Sequence, residues 1–314
     1  MGKYILKRLA YTVVTVFVLV TLTFFLMQLL PGDPFTGAKQ IPEAIMKNMR
    51  AKYGLDKPLI QQYFIYVGNC LRGDLGVSLT DNRPITETLM RTFPVSFDLG
   101  IRALLFATIS GVLLGILAAV KRGTKWDTIS MVIAIIGVSV PSFIIASILQ
   151  YFLGLKLFQA TGMKIFPFTG WGGFKHTLLP TFALGLSSLA TISRLMRTSM
   201  LDVLGQDYIK TAKAKGLSQK KIIWKHAVRN AIMPVVTVLG PITAAVLTGG
   251  FVVENIFSIP GMGRSFVTSV QNSNYTMITG TTLFYGTFLI LANLVVDLVY
   301  GFIDPRVKVT KGVD

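Results

Sequence analysis

The chain has 314 residues, of which 52% are hydrophobic and 14% charged, and its formal net charge is +17. With a mean hydropathy of +0.61, this balance excludes an ordinary soluble domain and points to a membrane protein whose basic residues lie between apolar runs. One cysteine, Cys70, excludes an internal disulfide and any multi-cysteine metal site, and two histidines, His176 and His226, leave little for catalysis.

Residues 9–30 carry no charge for 22 positions, enough at about 1.5 Å per residue to cross a hydrocarbon core. Lys3, Lys7 and Arg8 precede the run as in a signal peptide, but its length and the "LPGDP" after it predict an uncleaved first helix. The next stretch mixes apolar and polar residues at helical spacing and then breaks at glycines, which predicts a small folded cap outside the membrane. Its acids Asp33 and Asp74 are read as surface solubility or as contacts for a basic partner.

Five further spans are predicted at 103–120, 128–155, 176–193, 231–253 and 275–303, giving six in all and placing both termini on one side. The N-terminus, the 121–127 and 194–230 connections and the C-terminal tail together hold 18 Lys and Arg. The short opposite connections hold only Lys156, Lys164, Lys175 and Arg264, so the positive-inside rule makes both ends cytoplasmic. Pro141, Pro234 and Pro241, with Gly240, Gly249 and Gly250, interrupt the third and fifth spans. Such breaks suit either ordinary packing or a bundle with an interior path, lined on this expectation by Pro141, Ser142, Pro241 and Gly249. "FSIPGMGR" after the fifth span reads as a re-entrant turn.

No Gly-x-x-x-x-Gly-Lys-Ser/Thr phosphate loop occurs in the chain, so it does not bind ATP by that route. Asp297 is the clear intramembrane acid, with Asp98 and Glu254 at helix edges, too little for a proton relay. Arg194 and Arg197 read as interfacial anchors rather than a voltage sensor. No nucleophile and base pair has local support, so the chain is not expected to be an enzyme. A pump built on it needs its motor on another chain.

A motor must grip the membrane subunit, and "KTAKAKGLSQKKIIWKHAVRNAIMP", residues 210–234, has the grammar of a grip. Ile209 and Ala212 recur against Lys210, Lys213 and Lys215 as a short amphipathic helix. Gly216 supplies a stop, and Ser218 is expected to cap a second helix through its hydroxyl, with Ile222, Ile223 and Ala227 on one face. The alternative is a polybasic segment resting on anionic lipid, worth about 1 kcal/mol per basic residue.

This segment resembles the EAA loop of ABC importer permeases, with Lys210-Thr211-Ala212 in the place of Glu-Ala-Ala and Gly216 as anchor. Lys210 departs from the general glutamate, and 17 residues separate Gly216 from Pro234; both features match the oligopeptide and dipeptide branch. "YGLDKPL", "GDLGVSL", "HTLLPTFALGL", "ENIFSIPGMGR" and "DLVYGFIDPRV" resemble the first of the two permease subunits of that branch, in order and along most of the chain.

The resemblance implies an all-α integral membrane protein with six transmembrane helices and the type I ABC importer permease fold. Residues 1–31 would be the cytoplasmic end and first helix, 32–95 the extracytoplasmic segment, 96–304 the transmembrane domain with a coupling loop at about 198–230, and 305–314 a cytoplasmic tail. It implies ATP-driven import of oligopeptides or dipeptides by alternating access, in a bacterial cytoplasmic membrane. Nickel chelates are the alternative substrate, and a secondary transporter or channel without an ATPase is a more distant one. Lys210, Thr211, Ala212, Lys213, Ala214, Lys215, Gly216, Leu217 and Ser218 would couple to the ATPases. The implied partners are a homologous second permease, two ATP-binding cassette ATPases, an extracytoplasmic substrate-binding protein and membrane lipid. No cofactor is expected on this chain; ATP and Mg would sit on the ATPases.

Overall fold

A computed structural model of the protein describes residues 2–29, 56–78, 80–248 and 250–303. Asp33, Gly249 and the tail from 305 lie outside the described residues, as does the side chain of Asp297. In chain order the helices are α1 (Gly2–Gln28), α2 (Leu59–Leu71), α3 (Ile85–Val120), α4 (Lys125–Ser139) and α5 (Ser142–Thr161). Then follow α6 (Phe174–Leu204), α7 (Asp207–Ala214), α8 (219–231), α9 (Met233–Thr248), α10 (Phe251–Ile256), α11 (Met262–Gln271) and α12 (Tyr275–Ile303). An isolated antiparallel bridge joins Val77 to Pro84. Among the described residues, six helical spans are long and apolar enough to cross a membrane, beginning at Ile5, Ile85, Ser142, Phe174, Met233 and Tyr275.

The expected span at 128–155 is two helices. Pro141 lacks the N–H that would continue α4 and drives Val140 into an extended conformation, φ −97°, ψ 123°. Its carbonyl then accepts the amides of Ile144 and Ile145, so the same residue that ends α4 starts α5. α3 starts at Ile85, well before the expected 103. α6 runs to Leu204 instead of stopping at 193, because Met196 and Met200 continue the buried stripe through the polar "SRLMRTSM". The 254–274 connection, expected to be a loop, contains α11.

By contacts the chain forms two compact units, Met1–Ser96 with Pro260–Asp314, and Phe97–Ile259. In the first, α1 packs on α12 and α2. Phe24 is buried with its ring against those of Tyr63 and Tyr66, and Thr21 shares a 2.8 Å hydrogen bond with the Tyr63 hydroxyl.

In the second, α6 is the central element. α3 presents Ala103, Ala107, Gly111, Gly115 and Ala119 at four-residue spacing, and α6 lies against that stripe at backbone distance. A Cβ added at Gly115 would sit 2.6 Å from Met196 Cβ and from the Ser193 carbonyl oxygen, and one at Gly111 2.9 Å from the Leu189 oxygen. Gly137 of α4 repeats the device against Leu186 and Ala190. Small residues let backbones approach where apolar burial alone gives little drive between membrane helices.

Candidate functional site

The connection from α6 to α9 is a folded helix, turn and helix. The Gln206 carbonyl starts α7 by accepting the amides of Ile209 and Lys210 at 3.1 and 3.3 Å. Ile209 and Ala212 are buried, while Lys210, Thr211, Lys213, Ala214 and Lys215 are exposed. Lys210 pairs with Asp207 at 2.9 Å, an exposed contact of small energetic worth.

Gly216 ends α7 with φ +74°. Its N–H donates to the Lys213 carbonyl at 3.0 Å and that of Leu217 donates to the Ala212 carbonyl at 3.3 Å. These two bonds, with Leu217 folded back onto the core, form a Schellman cap that fixes the exit angle of the chain. The sequence reading expected Ser218 to cap α8 through its hydroxyl. Ser218 does stand at the cap position, φ −61°, ψ 146°, but its side chain makes no capping bond. The hydroxyl is exposed, where water satisfies it, and the Ser218 carbonyl accepts the Ile222 amide at 3.0 Å.

Within α8, residues Ile222–Ala227 are π-helical. Residues five apart diverge on an α-helix, but the wider turn of i→i+5 bonding brings Ile222 and Ala227 to one side, and both are buried. Asn230 of α8 donates to the Tyr208 hydroxyl of α7 at 2.9 Å, tying the two helices together. Beneath them one apolar cluster joins Ile209, Ala212, Ile222, Ala227 and Ala231 to Ile116 and Ala119 of α3, to Ile192, Met196 and Met200 of α6, and to Val235 of α9. A displacement of the turn therefore acts directly on three long helices, because close-packed cores transmit strain.

Arg197, expected as an interfacial anchor, is engaged in an ion pair. Its guanidinium grips Asp127 with Nε to Oδ1 at 2.7 Å and Nη2 to Oδ2 at 2.9 Å, and the Gly123 amide adds a third bond to Oδ2 at 3.0 Å. Arg197 first, then the Gly123 amide, hold the Asp127 carboxyl at about 2. The pair joins α6 to the start of α4 across 70 residues of sequence, which is why neither residue could be matched to the other beforehand. Arg194, one turn earlier, is exposed.

Of the residues expected to line a path, Pro141 is exposed, Ser142 opens α5 half-buried, and Pro241 is exposed inside α9. A latch unseen in the sequence lies midway along α5, where its π-helical stretch Gln150–Lys156 begins. There Gln150 Nε2 donates to the carbonyls of Phe168 and Ile256 at 2.8 and 2.6 Å.

The sequence pattern described as binding-protein-dependent transport system inner membrane component matches residues 111–309, and that of its N-terminal region matches 1–100. A dipeptide transport system permease protein of Bacillus subtilis is 47% identical over 313 residues, 99% of each chain. A dipeptide transport system permease protein of Lactococcus lactis is 42% identical, covering 98% of this chain and 100% of its own. An oligopeptide transport system permease protein of Haemophilus influenzae shows the same identity and coverage.

Proposed function

Because the chain belongs to the family of inner membrane components of binding-protein-dependent transport systems, we propose that it is the membrane-spanning permease subunit of an ATP-driven importer of dipeptides or oligopeptides. It is a multi-pass membrane protein of the type I importer permease fold. In this reading it sits in the bacterial cytoplasmic membrane with both termini cytoplasmic. A homologous second permease pairs with it, two ATPases carrying ATP and Mg bind beneath, and an extracytoplasmic binding protein delivers substrate. Hydrolysis takes place on the ATPases. The relatives named for dipeptides and oligopeptides support a peptide substrate over nickel chelates.

One observation carries the mechanism: α7 and α8, locked by the Gly216 cap, share a single apolar cluster with α3, α6 and α9. When the ATPases close on ATP they push on the Lys210–Ser218 turn, the cluster passes the displacement to those helices, and the bundle rocks between inward and outward openings. The free energy available to that rocking is limited to the difference in ATP affinity between open and closed ATPase pairs. Pro141, Ser142 and Pro241 flank the path that opens.

The test is ATP-dependent peptide uptake by the assembled system in proteoliposomes, comparing the parent with Gly216→Pro. Proline fixes φ near −65° and removes the amide that bonds Lys213, so it abolishes the +74° turn. Loss of uptake and of ATPase association, with the protein still in the membrane, is the expected result. Full uptake by the variant would leave the segment as a lipid-resting basic stretch.

A further inference from the structure

Within the first unit, a cleft of about 650 Å³ opens between the 78–84 turn, the first turns of α3 and one face of α11. Its walls are fixed independently of any ligand. Asn274 Nδ2 donates to the hydroxyls of Ser78 and Thr80, both at 2.9 Å, and Thr276 Oγ1 donates to the Val77 carbonyl at 2.8 Å. The Ser96 hydroxyl accepts the first amide of α11, from Met262, at 2.8 Å. Behind the cleft, Ile85 and Leu89 of α3 pack with Met262 and Met277 in a buried apolar cluster.

The lining carries charge of both signs: guanidinium groups from Arg83, Arg91 and Arg264, and carboxylates from Asp81 and Glu87. Glu87 and Arg91 stand four residues apart on α3, the spacing at which helical neighbours pair, yet the described residues include no ion pair between them. A lone ion of either sign meets a like charge in such a cleft. A zwitterion satisfies both sets, and the volume lies within the range of about 300–1,000 Å³ typical of small-ligand sites.

We propose that this cleft is a binding site on the permease for a short peptide with both ends free, its terminal carboxylate held by Arg83 and Arg91 and its terminal ammonium by Asp81 and Glu87. The inference rests on the peptide-import reading and deepens it by assigning a recognition step to this chain. The guanidinium fork takes a carboxylate in two parallel bonds, and the Thr88 hydroxyl, which donates to the Pro84 carbonyl at 3.4 Å, is left to accept a peptide N–H. The peptide leaves the cleft unchanged, with no bond made or broken.

The test uses the importer assembled with its partner subunits in nanodiscs, without binding protein. Saturation-transfer NMR compares trialanine with N-acetyl-trialanine amide, which has the same backbone and no end charges. Trialanine is expected to bind about tenfold more tightly than the capped peptide, and Arg91→Gln and Glu87→Gln each to lower trialanine binding about tenfold while leaving the capped peptide unchanged. Arg91→Lys should recover part of the loss. Should Arg91→Gln fail to assemble, Arg83→Gln on the adjoining turn carries the same expectation. Equal binding of the two peptides, binding of neither, or parent-like binding by the variants overturns the proposal. Uptake of trialanine by the complete system is measured alongside. Import with any of those overturning results removes only the cleft, whereas absence of any peptide import removes the import reading itself.

Discussion

Arg197 and Asp127 form a two-pronged ion pair, 2.7 and 2.9 Å, that clamps α6 to the beginning of α4. With the two side chains 23% and 10% exposed, removing either partner strands a largely desolvated charge. Asp127→Asn should cost about 2–3 kcal/mol, seen as a lower apparent melting temperature of the purified complex, and Asp127→Asn with Arg197→Gln should cost less than the sum of the two. The carboxyl is depressed to about 2, so its stabilising contribution is fully present above its unfolded pKa of about 3.9 and is lost only as pH falls through the folded value. Melting temperature between pH 5 and 8 should therefore differ between parent and Asp127→Asn by a constant amount.

At Gly216 an added Cβ meets nothing within 4 Å, so only the +74° backbone resists substitution. Gly216→Asn should keep most uptake, Gly216→Ala should lose about 1 kcal/mol of turn stability and some uptake, and Gly216→Pro should lose both turn and transport. Uptake rates in proteoliposomes, ranked in that order, check the assignment of the cap.

Gly115 and Gly68 should respond oppositely to alanine. At Gly115 the new methyl would collide at 2.6 Å with the α6 backbone, whereas at Gly68 in α2 it meets nothing within 4 Å. Gly115→Ala should destabilise by about 1–3 kcal/mol through overpacking, and Gly68→Ala should stabilise by about 0.5–1 kcal/mol through helix propensity. Thermal unfolding of the two variants side by side separates close approach from mere flexibility.

Cys70 is the chain's one thiol, and burial pushes it up to about 11. Since the thiolate is the reactive form, maleimide labelling at pH 8 should run roughly a hundredfold slower than for an ordinary thiol and accelerate as pH rises toward 11. Labelling at the ordinary rate would mean that α2 does not sit as described.

What the sequence disclosed follows from the range of the interactions involved. Gly216, Ile209 and Ala212 were readable because a turn residue and a helical stripe are local patterns. The break at Pro141 was visible as a residue but not as two helices, since an apolar run of that length looks continuous by hydropathy alone. The extension of α6 was hidden because Arg194 and Arg197 read as a boundary, while Met196 between them and Met200 after them carry the buried face. Asp127 and Arg197, and Gln150 with Ile256, are joined only by the fold. The π-helical geometry of Ile222–Ala227 leaves no compositional mark, and Ser218 has cap chemistry whose use depends on where its hydroxyl points.

The stripe from Ala103 to Ala119 gives α3 two different relations to mutation. On one side, where Gly111 and Gly115 touch the α6 backbone, any larger residue must push two helices apart. On the other, Leu105, Ile109 and Leu113 are half or more exposed in this chain and accept many apolar shapes. Over time, neutral substitutions along this helix should accumulate on the second side and be purged from the first. A single span would thus hold both a nearly frozen record of its ancestry and a face free to adapt to new lipids and neighbours.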